Sequence, residues 1–316
     1  MSYAQFGTIQ ASDYNTFVGG NPTGTANTLN AVWATGSAGA GYGQTALANV
    51  AIGDTVTAIA WSNLITRTAN SASHQSSSIT SVTAPSTGTT IVYNANVVTN
   101  LQTVYTNRLN AVSQSATSSN TATYGTTWLN AITFTHTVSF ANGDAARYFF
   151  NSGGQLAITC AHPAGTDINL LLNNLASNVG TVVLSSPTSG AATIAGTSYN
   201  GVTKIGGGGA NANVSTNSGY YSWTTSNANV FYQTASTGPS GYLATNINIF
   251  VKTNGTQGSN GDVGNVVTIY TVWDEIPNGK VVSTGSATTV TIRPPEVTYI
   301  GNTWGTPSVT GTVTGS

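Results

Sequence analysis

Apolar side chains recur at helical spacing through roughly the first 125 residues of this 316-residue chain, then mostly alternate with polar ones. Between 25 and 35, Ala26, Leu29, Val32 and Trp33 fall on one helical face, and Gly36 closes the segment. Glycines then crowd 36–43 as an irregular connection. Asp54 stands at an N-cap position ahead of a stripe of Val56, Ile59, Ala60, Asn63 and Leu64. A third helix is predicted from about 90 to 116, where Ile91, Val98, Tyr105 and Val112 recur every seven residues beside Leu101, Val104 and Leu109. That repeat suits either packing on the 54–70 helix of the same chain or an oligomer seam between subunits. Asn94 and Arg108 dilute it.

Further on, Ile132, Phe134, His136, Val138 and Phe140 alternate with Thr and Ser, the pattern of a strand with one buried face. Shorter strand-like runs cover 155–160, 181–184, 219–225, 229–234, 243–251, 265–273 and 286–293. Turn residues separate them at Asn142-Gly143-Asp144, Ser152-Gly153-Gly154, Gly206 to Gly209, Gly238-Pro239, Asn254-Gly255 and Asn278-Gly279. Asp167 to Asn178 reads as one helix laid on the sheet. The expected architecture is α+β: a helical assembly or attachment region over 1–125, an antiparallel β-sandwich of jelly-roll or immunoglobulin-like kind over 126–295, and an extended C-terminal tail over 296–316.

Charge changes the picture most. The chain holds 7 Lys+Arg and 8 Asp+Glu, or 5% charged residues, where soluble domains average about 25%. A net charge of −1 leaves no basic footprint for nucleic acid or anionic lipid. No apolar run is long enough for membrane insertion. Disorder is disfavoured by 6 Trp, 14 Tyr and 8 Phe. The single Cys160 rules out an intrachain disulfide. A nearly uncharged surface lacks the repulsion that keeps monomers apart, so a homo-oligomer is expected. The opening MSYAQFGTIQ has neither the basic nor the apolar part of a signal peptide, so synthesis in the host cytoplasm is expected.

Few residues suit chemistry. The acids are Asp13, Asp54, Asp144, Asp167, Asp262, Asp274, Glu275 and Glu296. Glycosidic hydrolysis needs two carboxylates flanking a bond, and the close pair Asp274-Glu275 would point to opposite strand faces. His136 belongs to an apolar strand face. Cys160 and His162 share a face at i, i+2 but fall short of a zinc ligand set. The loop Asn254 to Asn265 offers calcium one carboxylate, Asp262, and reads better as a hairpin tip. No catalytic residue, metal or cofactor is expected. Tyr220, Tyr221 and Trp223, followed by Phe231-Tyr232, have two readings. They form a core-packed strand face, or an aromatic platform for host-surface glycan, with Asn, Thr and Ser bonding the hydroxyls.

One set of strings carries a resemblance. It begins with Ile9-x-Ala11-Ser12-Asp13-Tyr14-Asn15-Thr16, Leu29-Asn30-x-Val32-Trp33 and Gly41-Tyr42-Gly43-Gln44. Gly53-Asp54, Trp61-x-x-Leu64, His74-Gln75 and Ala146-Arg147-Tyr148-Phe149-Phe150-Asn151-Ser152-Gly153-Gly154 continue it. Together they resemble virion structural proteins of tailed phages, notably those of marine cyanophages. The similarity covers much of 9–154 and weakens toward 295. Gly19-Gly20-Asn21-Pro22-Thr23-Gly24 departs from the continuous first helix of such proteins. The resemblance implies a virion component, tail-associated, whose partners are itself and other virion proteins, with no catalytic residues to carry over. A homo-oligomeric part of a tail fibre, appendage or baseplate is the expected function. The alternatives are a capsid decoration or tail-tube subunit, a lectin-like binder of host-surface glycans and, least favoured, an enzyme acting on polysaccharide. Arg147, beside three aromatic rings in a charge-poor chain, is read as a structural hydrogen-bonding group.

Overall fold

The computed structural model describes residues 9–19, 28–35, 40–208, 211–236, 242–257, 261–274, 276 and 279–315. Ala26, Gly36, Gly209, Gly238-Pro239, Glu275, Asn278 and the Gly20–Gly24 insertion lie outside them. The fold is α+β, with helices α1 (Ala11–Val18), α2 (Leu29–Val32), α3 (Ala58–His74) and α4 (Asn96–Thr106) ahead of mostly antiparallel sheets.

Local chemistry sets the helix ends. Helix α1 begins where the Asp13 carboxylate accepts the Gln10 N–H (3.0 Å), and it stops at Gly19, whose φ of +111° favours glycine. Helix α3 opens at Thr57, whose hydroxyl accepts the Ala60 N–H (3.1 Å). Asp54 is therefore not the cap, and the buried stripe runs through Trp61, Leu64, Thr68, Ser71 and Ala72. Ile59 and Asn63 face solvent instead. Helix α4 is 11 residues long, much shorter than predicted, because the chain turns at Asn107 and the Asn110 N–H bonds back to the Asn107 carbonyl (2.8 Å). Its buried face is Val97, Asn100, Leu101 and Val104, an i, i+3, i+4 set that packs on α3.

Strands β1 (Ser118–Thr123), β12 (Ala287–Arg293), β3 (Gln155–Ala161), β4 (Thr181–Leu184) and β7 (Val202–Ile205) form one sheet in that order. A second runs β13 (Ser308–Gly315), β2 (Ile132–Ser139), β11 (Val266–Asp274), β10 (Asn246–Thr253), β9 (Ala228–Thr234) and β8 (Ala212–Val214). A short hairpin, β5 (Ala192–Ile194) and β6 (Thr197–Tyr199), is separate. Burial alternates strictly along β2, β11 and β12, as period-two patterning requires. Phe134, Val138, Ile269, Trp273, Val290 and Ile292 join the helical residues Trp61, Leu64 and Leu101 in one continuous core. Helix α6 (Ile168–Val179) lies on β3, β9 and β10, close to its predicted span.

Other elements differ from expectation. Asn142-Gly143-Asp144 is not a strand-to-strand turn: it starts helix α5 (Gly143–Asn151), with Asn142 Oδ1 accepting the Ala145 N–H (2.8 Å). Ala145, Ala146, Phe149 and Phe150 then face inward at helical spacing. The 219–225 run holds a single 3-10 turn over Tyr220–Ser222 rather than a strand. Strand β1 lies before residue 125, and the tail ends in β13, paired with β2 over its whole length. Both strands are dominated by Ser, Thr and Gly, and neither shows a hydrophobic alternation strong enough to read.

Candidate functional site

Three of the strings that carry the resemblance, Gly41–Gln44, His74-Gln75 and Ala146–Gly154, are distant in sequence and meet in one junction. Tyr42, fully buried, donates its hydroxyl to the Arg108 carbonyl (2.8 Å) and accepts from Gln75 Nε2 (2.8 Å). Gln75 also donates to the Val104 carbonyl (2.9 Å). The His74 ring sits edge-on to Tyr42, centroids 5.1 Å apart, with Nε2 at 3.1 Å from the Ser152 carbonyl. Asn151 Nδ2 donates to the Gly41 carbonyl (2.9 Å), and its Oδ1 accepts the Tyr221 hydroxyl. Gly43, at φ +74°, lies flat against the Tyr148 ring, where any Cβ would collide. The C-terminal segment closes the junction: Thr303 Oγ1 donates to the Tyr42 carbonyl (2.6 Å). Helical region, helix α5 and tail are thus tied at one place.

Amide side chains do much of this tying. Gln44 Nε2 donates to the Gly301 carbonyl (2.7 Å) while Gly301 N–H donates to Gln44 Oε1 (3.0 Å). Asn15 clasps Val50 in the same way (2.8 and 2.9 Å), Asn30 clasps Leu47 (2.9 and 3.0 Å), and Asn100 clasps Thr80 (2.8 and 3.1 Å). Each carboxamide copies a peptide group and satisfies one donor and one acceptor on a stretch of chain that belongs to no sheet. Reading Asn and Gln as solvated surface hides this role.

The histidines are enclosed, and Cys160 is half-buried. All three histidines are buried, and burial pushes each pKa down, His74 to about 4. His136 lies on the inner face of β2, as its strand pattern predicted. Cys160 and His162 form no common site: Cys160 pairs in register with Thr288, and burial raises its thiol pKa. His162 Nδ1 is 2.9 Å from Ser286 Oγ, and its Nε2 is 3.1 Å from Asn169 Oδ1. Trp128 Nε1 donates to the same Ser286 Oγ (3.2 Å). An N–H on Nε2 donating to Asn169 and a Ser286 hydroxyl donating to Nδ1 satisfies every group in the chain of bonds. This sequence of atoms resembles a hydrolytic triad, and Ser286 is 0% exposed and Trp128 1%, so the hydroxyl is closed off from solvent. Arg147, 1% exposed, bonds Asp144 (2.7 Å) and lies 4.8 Å over the Tyr148 ring. Asp274 stands at the end of β11, and Glu275 is outside the described residues. No group of three or more His, Cys, Asp or Glu gathers as a metal site among the described residues.

The glycan platform is not formed. Tyr220 and Trp223 are 1% and 3% exposed. Tyr220 stacks on Phe150 (4.5 Å, 16°), Trp223 meets Phe150 edge-on (5.5 Å, 89°), and half-buried Tyr221 is spent on Asn151. The cluster is core packing between α5 and the 3-10 turn. The heptad residues share no helical stripe either. Ile91 precedes α4 and Val112 follows it, Val98 is exposed, and half-buried Tyr105 lies beneath the Arg108 guanidinium (4.7 Å).

No family model matches the chain, and no curated protein or solved structure matches it. Among the described residues no helix is long and apolar enough to cross a membrane.

Proposed function

We propose that the protein is a structural component of a tailed-phage virion, acting as a homo-oligomer in a tail fibre, appendage or baseplate. The observation that carries this reading is the junction. Gly41-Tyr42-Gly43-Gln44, His74-Gln75 and Arg147 to Gly154, which bear the resemblance, are in mutual contact as one bonded unit. The likeness therefore concerns residues that hold the chain together. Burial of the histidines, of Ser286 and of the Tyr220–Trp223 cluster supports a load-carrying role over catalysis or glycan capture. In this reading the two large sheets pack as a β-sandwich, since their alternating faces feed one core.

Electron microscopy of the purified full chain, with its solution mass measured alongside, tests the reading. Rings, tubes or rods of defined copy number are expected. A monodisperse monomer at all concentrations would overturn self-assembly as the central activity.

A further inference from the structure

The helical region carries a nearly uncharged trough. A hollow of about 430 Å³ opens between α3 and α4, floored by Leu64, Ala72 and Val97. It meets a second of about 450 Å³ at Ser81 and Val82, beside Trp61 and Val92. That one shares Thr89 to Ile91 with a third of about 900 Å³, bounded by Val56 and Ile59. The three thus adjoin one another through shared wall residues. Ile59 and Val92 stand at the walls, 67% and 70% exposed.

Over residues 1–125 the charged side chains are Asp13, Asp54, Arg67 and Arg108. Asp13 is buried in its capping bond, Arg67 lies 5.6 Å over the Trp33 ring, and Arg108 covers Tyr105. Asp54 alone lines the trough. A partner face rich in Lys, Arg, Asp or Glu would bury those charges opposite Ser, Thr and apolar groups with no counter-ion, at several kcal/mol per ion. The partner surface must itself be neutral, with apolar side chains that fill hollows. This same face meets both demands, having projecting Ile59 and Val92 beside the hollows that would receive such side chains.

We propose that this trough is the contact between copies of the chain, seating the Ile59–Val92 face of a second copy. The proposal rests on the self-assembly reading above and names its surface. The test is sedimentation of the full chain in low and high salt, for wild type, I59E, V92E and the control V263E, whose site is exposed on the β10–β11 connection. Circular dichroism and melting temperature verify that each variant folds. The expected result is a wild-type oligomer insensitive to salt and unaffected by V263E. Either trough variant should raise its dissociation constant about 30-fold or more. An oligomer that persists unchanged in I59E and V92E overturns the trough and leaves self-assembly standing. A wild-type monomer overturns both.

Discussion

Gly311 of β13 lies directly opposite His136 of β2, and the imidazole fills the space where a side chain at 311 would stand. A Cβ there would be 2.8 Å from His136 Cδ2 and Nε2 and closer still to Asn120 Oδ1. The last strand of the chain therefore depends on a glycine chosen by a residue 175 positions earlier.

Gly311→Ala should destabilise the fold by about 1–3 kcal/mol through overpacking. Gly125→Ala, at a position with nothing within 4 Å, should stay within about 0.5 kcal/mol of wild type. Urea unfolding of both variants decides the matter; equal midpoints would contradict the packing of β13 on β2.

Acid should weaken the protein through its histidines. Their folded pKa values lie below the ordinary 6.5, so on acidification the unfolded chain takes up protons first. The stability is fully present above about pH 6.5 and falls as pH drops through the window toward about 4, where His74 titrates in the fold. For His74 alone the loss amounts to about 3 kcal/mol. His74→Gln, which can still donate to the Ser152 carbonyl, should flatten this part of a stability-against-pH curve.

Removing one oxygen from the junction should be costly. In Tyr42→Phe the Arg108 carbonyl loses its donor and Gln75 Nε2 keeps only Val104. A loss of about 1–3 kcal/mol is expected, since these groups are buried. A double-mutant cycle with Gln75→Leu should give a clear coupling energy, and additive losses would show that the two side chains act independently.

Asn30→Leu leaves both the N–H and the carbonyl of Leu47 without their partner. The expected cost is again about 1–3 kcal/mol. Hydrogen exchange should localise the effect: the Leu47 amide should lose protection while strands β10 and β11 keep theirs.

Trp223→Ala separates core from binding surface. Truncation of a buried Trp packed on Phe150 should cost about 3–5 kcal/mol. A variant as stable as wild type in thermal unfolding would place Trp223 outside the core.

The legible parts of the fold were those with one strong local pattern. Strand β2 follows Ile132 to Val138 residue by residue, and α6 follows its apolar stripe within a residue or two. Helix α5 was hidden because Asn142-Gly143-Asp144 serves a turn or a helix start equally well, and the choice depends on Phe149 and Phe150 finding the core. Helix α4 was overextended because a seven-residue recurrence of single apolar residues needs no continuous helix. The edge strands β1 and β13 escaped notice because Ser, Thr and Gly carry little hydrophobic signal.

By itself the sequence determined the alternation of the inner strands, the near absence of charge and the lack of an intrachain disulfide, since each depends only on composition or on neighbours a few positions away. The tertiary structure alone decided the use of Asn15, Asn30, Gln44 and Asn100 as backbone clasps, the burial of Tyr220 and Trp223, and the need for glycine at 311. An uncharged amide is satisfied about as well by water as by a peptide group, and an aromatic ring packs equally on a core or on a sugar. Such choices are made only when distant segments arrive, because the free energy that settles them belongs to contacts the local sequence does not contain.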